Sequence, residues 1–225
     1  MCDIIRECAK QVSQSSSDVR AVVLTGSSDC FSAGKDLKAS LKHSEAEARS
    51  YYSNTLLTVK SLLDIPVPVI VGMEKVCLGL GLELSLTGDI RIAGESCKIG
   101  FPEIHLNLFP GCGGAVLLPA ILGNACLASE LILSGRRLSA KEALDINLIS
   151  RIVPDGSACE TAMEMARTLV EKNRNLLIKT KEVVRYNLNR QLKETEWWAL
   201  AERNRLEVAE YPEHKASLIE FFSKK

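Results

Sequence analysis

Two glutamates in this 225-residue chain stand in apolar surroundings. Glu83 lies inside Leu80 to Leu86, and Glu103 follows Pro102 in a segment with few polar neighbours. Burial disfavours a charged carboxylate and raises its pKa, and two such groups sharing a site push one of them further. A carboxyl brought towards neutrality in this way can exchange protons with a reacting molecule near pH 7. Taken singly, each glutamate is better read as a solvated or salt-bridged side chain. Two glycine-bearing turns suggest a second kind of chemistry. Ser32-Ala33-Gly34 lets the backbone approach a ligand, and Gly79-Leu80-Gly81 opens a helix whose first N–H groups lack internal partners. Together they would offer donors to an oxygen that gains negative charge. Alone, each only turns the chain.

The elements that must position these groups follow from hydrophobic spacing. Ile4, Ile5, Cys8 and Val12 recur at helical intervals, and Arg20 to Thr25 is a short β-rich run closed by Gly26. Ser44 with Glu47 forms a capping box for a helix that runs through Leu56, Leu57, Leu62 and Leu63 until Pro66 and Pro68 stop it. Val69 to Gly72 reads as a buried strand, the run after Gly79 as an apolar helix to about Thr87, and Asp89 to Ala93 as another strand. The alternation recurs up to Leu148–Val153, which favours an α/β core. Beyond about Pro154 the strands stop. Ala162 to Val170, Leu176 to Leu188 and Trp198 to Val208 each carry an amphipathic helical pattern. This helical third packs either on the core or on a partner subunit, and its apolar faces, with Trp197, Trp198, Leu218, Phe221 and Phe222, exceed what one short α/β core can cover, as an interface would.

Composition narrows the classes further. Hydrophobic residues make up 46% and charged residues 25%, enough to bury a core, so a disordered chain is excluded. Lys+Arg and Asp+Glu are equal at 28 each, which leaves no basic field for nucleic acid or anionic lipid. No apolar run approaches the ~20 residues of a membrane helix. The charged start, Met1 to Cys8, does not read as a signal peptide, and no other targeting segment is visible. Eight scattered cysteines without a CxxC pair suggest neither a metal site nor a disulfide framework, and point to the cytoplasm or the mitochondrial matrix.

Three ordered stretches carry a resemblance: Phe31-Ser32-Ala33-Gly34-Lys35-Asp36-Leu37; Leu78 to Leu84 with Gly88-Asp89-Ile90 behind it; and Gly100-Phe101-Pro102-Glu103 followed by Pro110 to Gly114. With them the chain resembles the crotonase family of enoyl-CoA hydratases and isomerases, from Arg20 through Leu133–Ala140 to Val153. The resemblance implies a ββα spiral core over residues 1–154 and a helical C-terminal region over 155–225 that builds trimers, often paired into hexamers. It also implies an N-terminal hairpin ahead of the segment equivalent to Met1, so that the first sheet is left with an unpaired edge.

The roles it implies are specific. The N–H groups of Ala33 and Leu80 form an oxyanion hole for the thioester oxygen of an acyl-CoA. Glu83 and Glu103 stand at the family's separation for a catalytic pair. Glu83 orients a water towards the β carbon, and Glu103 exchanges the proton at the α carbon. The N–H of Gly111 helps to hold that water. Ala33, Lys35, Asp36, Leu37, Gly79, Leu80 and Pro102 line the substrate path, with Lys35 set either to solvate its turn or to meet CoA phosphates. No metal and no cofactor beyond the substrate's own coenzyme A are implied. The reaction is hydration of a 2-trans-enoyl-CoA. The alternatives are an isomerase using Glu103 alone and a non-catalytic acyl-CoA-binding protein. A dienoyl-CoA isomerase would carry an acid where Gly111 stands. His105 reads as a loop residue, and Trp197-Trp198 as core or interface. Lys75, Leu80 and Asn107 depart from the pattern, because relatives usually have glycine at these positions.

Overall fold

The computed structural model describes residues 1–14, 16–27, 29–192, 195–209 and 211–223. The first apolar pattern forms helix α1 (Cys2–Ser13), and β1 (Val22–Thr25) follows. Asp36 accepts from the Ala39 N–H at 2.9 Å and so starts a single turn, α2 (Leu37–Ser40). The capping box forms as expected: Ser44 and Glu47 satisfy each other's backbone N–H groups and open α3 (Glu45–Leu63). Next come β2 (Val69–Met73), β3 (Val76–Leu78), the short α4 (Leu80–Ser85), β4 (Ile90–Gly94) and β5 (Lys98–Gly100). A 3₁₀ turn at Pro102–Leu106 leads to α5 (Gly114–Leu122) and α6 (Ala125–Ser134), then β6 (Arg137–Ser139), α7 (Ala140–Asp145) and β7 (Arg151–Val153). The remainder is helical: α8 (Ala158–Val170), α9 (Arg174–Val184), α10 (Tyr186–Leu192), α11 (Thr195–Ala209) and α12 (Pro212–Ser223).

The strands divide into two sheets. One is wholly parallel in the order β1-β2-β4-β7, with β1 at its edge, and the other joins β3-β5-β6. Every residue of β2 is buried, the mark of a strand covered on both faces. Ile70 packs with Ala158, Ala162 and Ala166 of α8, while Val71 faces the main core with Leu82, Leu86 and Val59. The second sheet had no signal of its own in the sequence, since its strands are three residues long. It matters more for the site, because β3 leads directly into Gly79.

Buried polar groups join the layers. Glu74 accepts from the N–H groups of Gly156 and Ala158, at 3.0 and 2.7 Å, and so caps the entry to α8. Asp89 takes the N–H of Val69 and pairs with Lys181 at 2.7 Å and Arg185 at 3.0 Å, which fastens α9 and the residue after it to the sheet. Lys75 and Asn107 both adopt left-handed backbone, with φ of 49° and 52°. Glycine takes that conformation without the steric penalty that a Cβ brings, so these two departures are conformational in origin. Leu80 is different. It is an ordinary helical residue, and the positive φ falls on Gly79 before it.

The helical third packs on its own chain. Trp198 and Leu218 are 7% and 2% exposed, which corrects the expectation that both stand in an uncovered apolar surplus. Trp198 enters the main core, and α12 is tied down where Asn107 donates to the Ser217 hydroxyl at 2.6 Å. The Trp197 side chain lies outside the described residues. Phe221 is the more exposed of the last two aromatics, and it stacks edge-on against Phe222. The pattern read as one helix over Leu176–Leu188 breaks at Arg185, between α9 and α10. Among the described residues no helix is long and apolar enough to cross a membrane.

Candidate active site

The two glycine turns meet. Ser32 donates to the Val76 carbonyl at 2.9 Å and accepts from the Leu78 N–H at 3.0 Å, so the chain before Ala33 runs alongside β3. Gly34, at φ 96°, sits so close that a Cβ there would lie 3.0 Å from the Leu78 oxygen and 3.4 Å from the Leu80 nitrogen. Gly79 donates its own N–H to Gly100 at 3.0 Å and turns the chain into α4. After this turn the N–H groups of Ala33 and Leu80 have no acceptor among the described residues, and both residues line one cavity of about 90 Å³. Two unused donors at a small cavity can hold a developing oxyanion.

Both glutamates line the same cavity, and their surroundings differ. Glu83, on α4, is 2% exposed and accepts from the Gly114 N–H at 2.9 Å, at the positive end of α5. Burial raises its pKa to about 7, against the opposing pull of the backbone donors at Gly114 and Cys112. Glu103, in the 3₁₀ turn, is partly exposed as a residue, yet its Oε2 is enclosed with no hydrogen-bond partner. Burial first, and then the neighbouring charge of Glu83, raises its pKa to about 8. Its Oε1 lies where a side chain on Gly79 would collide, 2.9 Å from the position of such a Cβ. The two environments differ in kind: backbone donors favour charge on Glu83, while burial and that neighbouring charge favour the protonated form of Glu103.

The other expected residues fall on two connected spaces. Lys35, Leu37 and Pro102 line the small cavity and also a groove of about 710 Å³ outside it. Asp36 lines the groove only, where it caps α2, and Gly79 and Gly111 line the cavity only. Lys35 lies over the Tyr51 ring at 4.9 Å, and its pKa is lowered to about 8 by burial and by the charge of Arg205. His105 is exposed and borders the groove, but it lies in the 3₁₀ turn rather than in a loop. No cluster of three or more His, Cys, Asp or Glu side chains suited to a metal ion occurs among the described residues.

Sequence reasoning missed three contributors. Gly114 binds Glu83 directly, a contact additional to the role expected of Gly111 at the water. Tyr52 of α3 and Arg205 of α11 close the cavity behind Gly111, so closely that a Cβ on that glycine would stand 2.4 Å from the Tyr52 hydroxyl and 2.9 Å from the Arg205 Cβ. No pattern in the chain linked α3 and α11 to the glutamates. The helical period of α11 shows only which of its faces turns inward.

Known proteins resemble this chain in sequence and fold. The family model described as enoyl-CoA hydratase/isomerase covers residues 2–225. A probable mitochondrial enoyl-CoA hydratase of Dictyostelium discoideum is 36% identical over 177 residues, which is 78% of this chain and 62% of the relative. The enoyl-CoA isomerase/hydratase fer4 of Mycosarcoma maydis is 36% identical over 152 residues, 67% of this chain and 55% of the relative. The chain thus spans less than two thirds of the length of these relatives. The crystal structure of an enoyl-CoA hydratase from Bacillus anthracis superposes with a TM-score of 0.78 at 30% identity, covering 100% of this chain and 86% of the other. The α/β core with its helical C-terminal region is the crotonase fold, and the chain belongs to the enoyl-CoA hydratase/isomerase family.

Proposed function

We propose that this chain hydrates 2-trans-enoyl-CoA thioesters. The observation that carries the reading is the pair of buried glutamates on one cavity, one held by backbone donors and the other without a partner. The thioester oxygen sits at the N–H groups of Ala33 and Leu80, which draw charge from the β carbon onto the enolate oxygen. The Glu83 carboxylate takes a proton from a water as that water's oxygen bonds to the β carbon. The Glu103 carboxylic acid gives its proton to the α carbon. One water is added across the double bond, and a proton passing from Glu83 to Glu103 restores the starting state. The wide groove that adjoins the cavity at Lys35, Leu37 and Pro102 is then the path of the CoA moiety. Lys35 stands where the two spaces join.

Crotonyl-CoA incubated with the purified chain should lose its enoyl-thioester absorbance and yield 3-hydroxybutyryl-CoA. Migration of a double bond in a 3-enoyl-CoA without net hydration would instead favour the isomerase reading, in which Glu103 alone carries the proton. Binding without turnover of either would leave an acyl-CoA-binding protein.

Assembly is part of the proposal. With Trp198 and Leu218 folded inwards, Val183, Val184, Leu200 and Ile219 remain exposed on α9, α11 and α12. Apolar residues left uncovered on these C-terminal helices suit a closed cyclic interface. Light scattering should give three or six chain masses. A single chain mass at micromolar concentration, with full activity, would remove assembly from the proposal.

A further inference from the structure

The two glutamates are held in different ways. A backbone N–H fixes the Glu83 carboxylate, whereas the Glu103 Oε2 is enclosed with no hydrogen-bond partner, so the place of that carboxyl is inherited from the backbone that carries it. That backbone is one short 3₁₀ turn, a form with poorer hydrogen bonds than an α-helix. Its own closure is brief: Asn107 donates to the Ile104 carbonyl and Leu108 to the Glu103 carbonyl, both at 3.1 Å. α6 packs against it, so that a Cβ on Gly135 would lie 2.7 Å from the Ile104 side chain. α12 adds directional bonds. The His214 Nδ1–H donates to the Leu106 carbonyl at 3.0 Å, and the Asn107 amide donates to the Ser217 hydroxyl at 2.6 Å and the Glu213 carbonyl at 3.3 Å. Asn107 stands in left-handed backbone at φ 52°, a conformation glycine would hold with less strain while making neither amide bond.

We propose that Asn107 and His214 are positioning residues, through which α12 holds the Pro102–Leu106 turn so that the Glu103 carboxyl stays enclosed in the cavity it shares with Glu83. The inference rests on the reading of Glu103 as the acid of the site. Burial is the first cause of the raised pKa of Glu103, so a released turn that admits water to the carboxyl lets it ionise at lower pH. Glu83 on α4 raises the same value and Arg205 on α11 lowers it, and neither is part of the link between α12 and the turn. A proton donor that ionises early and sits off its place gives up rate more than substrate affinity.

Asn107→Gly is the informative variant, since it keeps the backbone conformation and removes both amide bonds. Its kcat for crotonyl-CoA should fall about 10- to 100-fold with KM within about threefold of the parent. Its Glu103 carboxyl, followed by NMR of isotope-labelled glutamate and assigned with Glu103→Gln, should titrate at least about one pH unit lower than in the parent. Ser217→Ala should show a smaller loss of the same kind, and Ser217→Thr should recover most of it. Adding Ser217→Ala to Asn107→Gly should cost little more, because the two side chains share one bond. His214→Gln, which can still donate to a carbonyl, should keep more turnover than His214→Ala. Circular dichroism checks that each variant is folded. A lower melting temperature with parental kcat and an unmoved Glu103 titration would overturn the inference and leave the bonds as fastenings of α12 alone. A fall in kcat with an unmoved titration would overturn it as well. If the parent does not hydrate crotonyl-CoA, the titration decides: a lowered value in Asn107→Gly keeps the positioning role and removes the hydratase, and an unmoved one overturns both.

Discussion

Glu103→Gln and Glu83→Gln should each lower the rate of hydration by at least about 100-fold while thioester binding changes little, because each removes a proton-transfer group and keeps the side-chain shape. The fold should survive both changes. In Glu83→Gln the amide oxygen can still accept from the Gly114 N–H, and the Oε2 of Glu103 has no partner to lose. Stability should even improve at alkaline pH. Both carboxyls have pKa values raised above the ordinary 4.5, to about 7 and about 8, so the folded protein holds protons that the unfolded chain has released. The stability they allow is complete below pH 4.5 and falls as the pH climbs through 7 to 8. A glutamine escapes that loss. Each variant should therefore melt at least about 2 °C above the parent at pH 8, with the difference closing near pH 4.5. Rates are followed with crotonyl-CoA and melting by calorimetry. Near-parental turnover in either variant would take that residue out of the mechanism, and an unchanged melting difference across the pH range would show that the pair is not strained by burial.

The same pair shows what was legible in the sequence and what was not. Glu83 stood out because an acid in an otherwise leucine-rich helical run contradicts its own surroundings, and Glu103 because a proline turn isolates it. Both signals are local, as are the capping box of α3 and the apolar runs of β1, β2 and β4, although β1 proves to be a half-buried edge strand. The partner of Glu83 is not local. Gly114 reaches it across 31 positions, and its glycine-rich neighbourhood gives no hint that its N–H meets the carboxylate. Arg205 is hidden for a stronger reason. Arginine on an amphipathic helix is ordinarily a solvated residue, and only the packing of α11 against α5 turns this one inwards over Tyr52. The terminal aromatics misled in the opposite direction, since an apolar surplus counted along the chain cannot tell a face covered by its own core from one that awaits a partner. The three-residue strands of the second sheet are too short to show a period at all, though they set the path into Gly79.

Leu80→Pro should cut kcat by about 100- to 1,000-fold, the usual effect of deleting one oxyanion donor, with a much smaller change in KM. The substitution can be interpreted because of where Leu80 sits. It is the first residue of α4, where proline is accommodated and no intrahelical bond depends on its N–H. The preceding residue is Gly79, at φ 55° and ψ −125°, a mirror-image extended conformation that a glycine can hold before the proline ring. The cost to the fold should come from the side chain instead, since Leu80 packs partly buried against the main core. Leu80→Ala provides the control: it loses the same contacts and keeps the N–H, so it should retain turnover within a few-fold while melting lower. Leu80→Gly should behave likewise, with a further loss of stability from backbone freedom. If folded Leu80→Pro turns over at the rate of Leu80→Ala, the thioester oxygen is held elsewhere, and Ala33 must find its second donor outside α4.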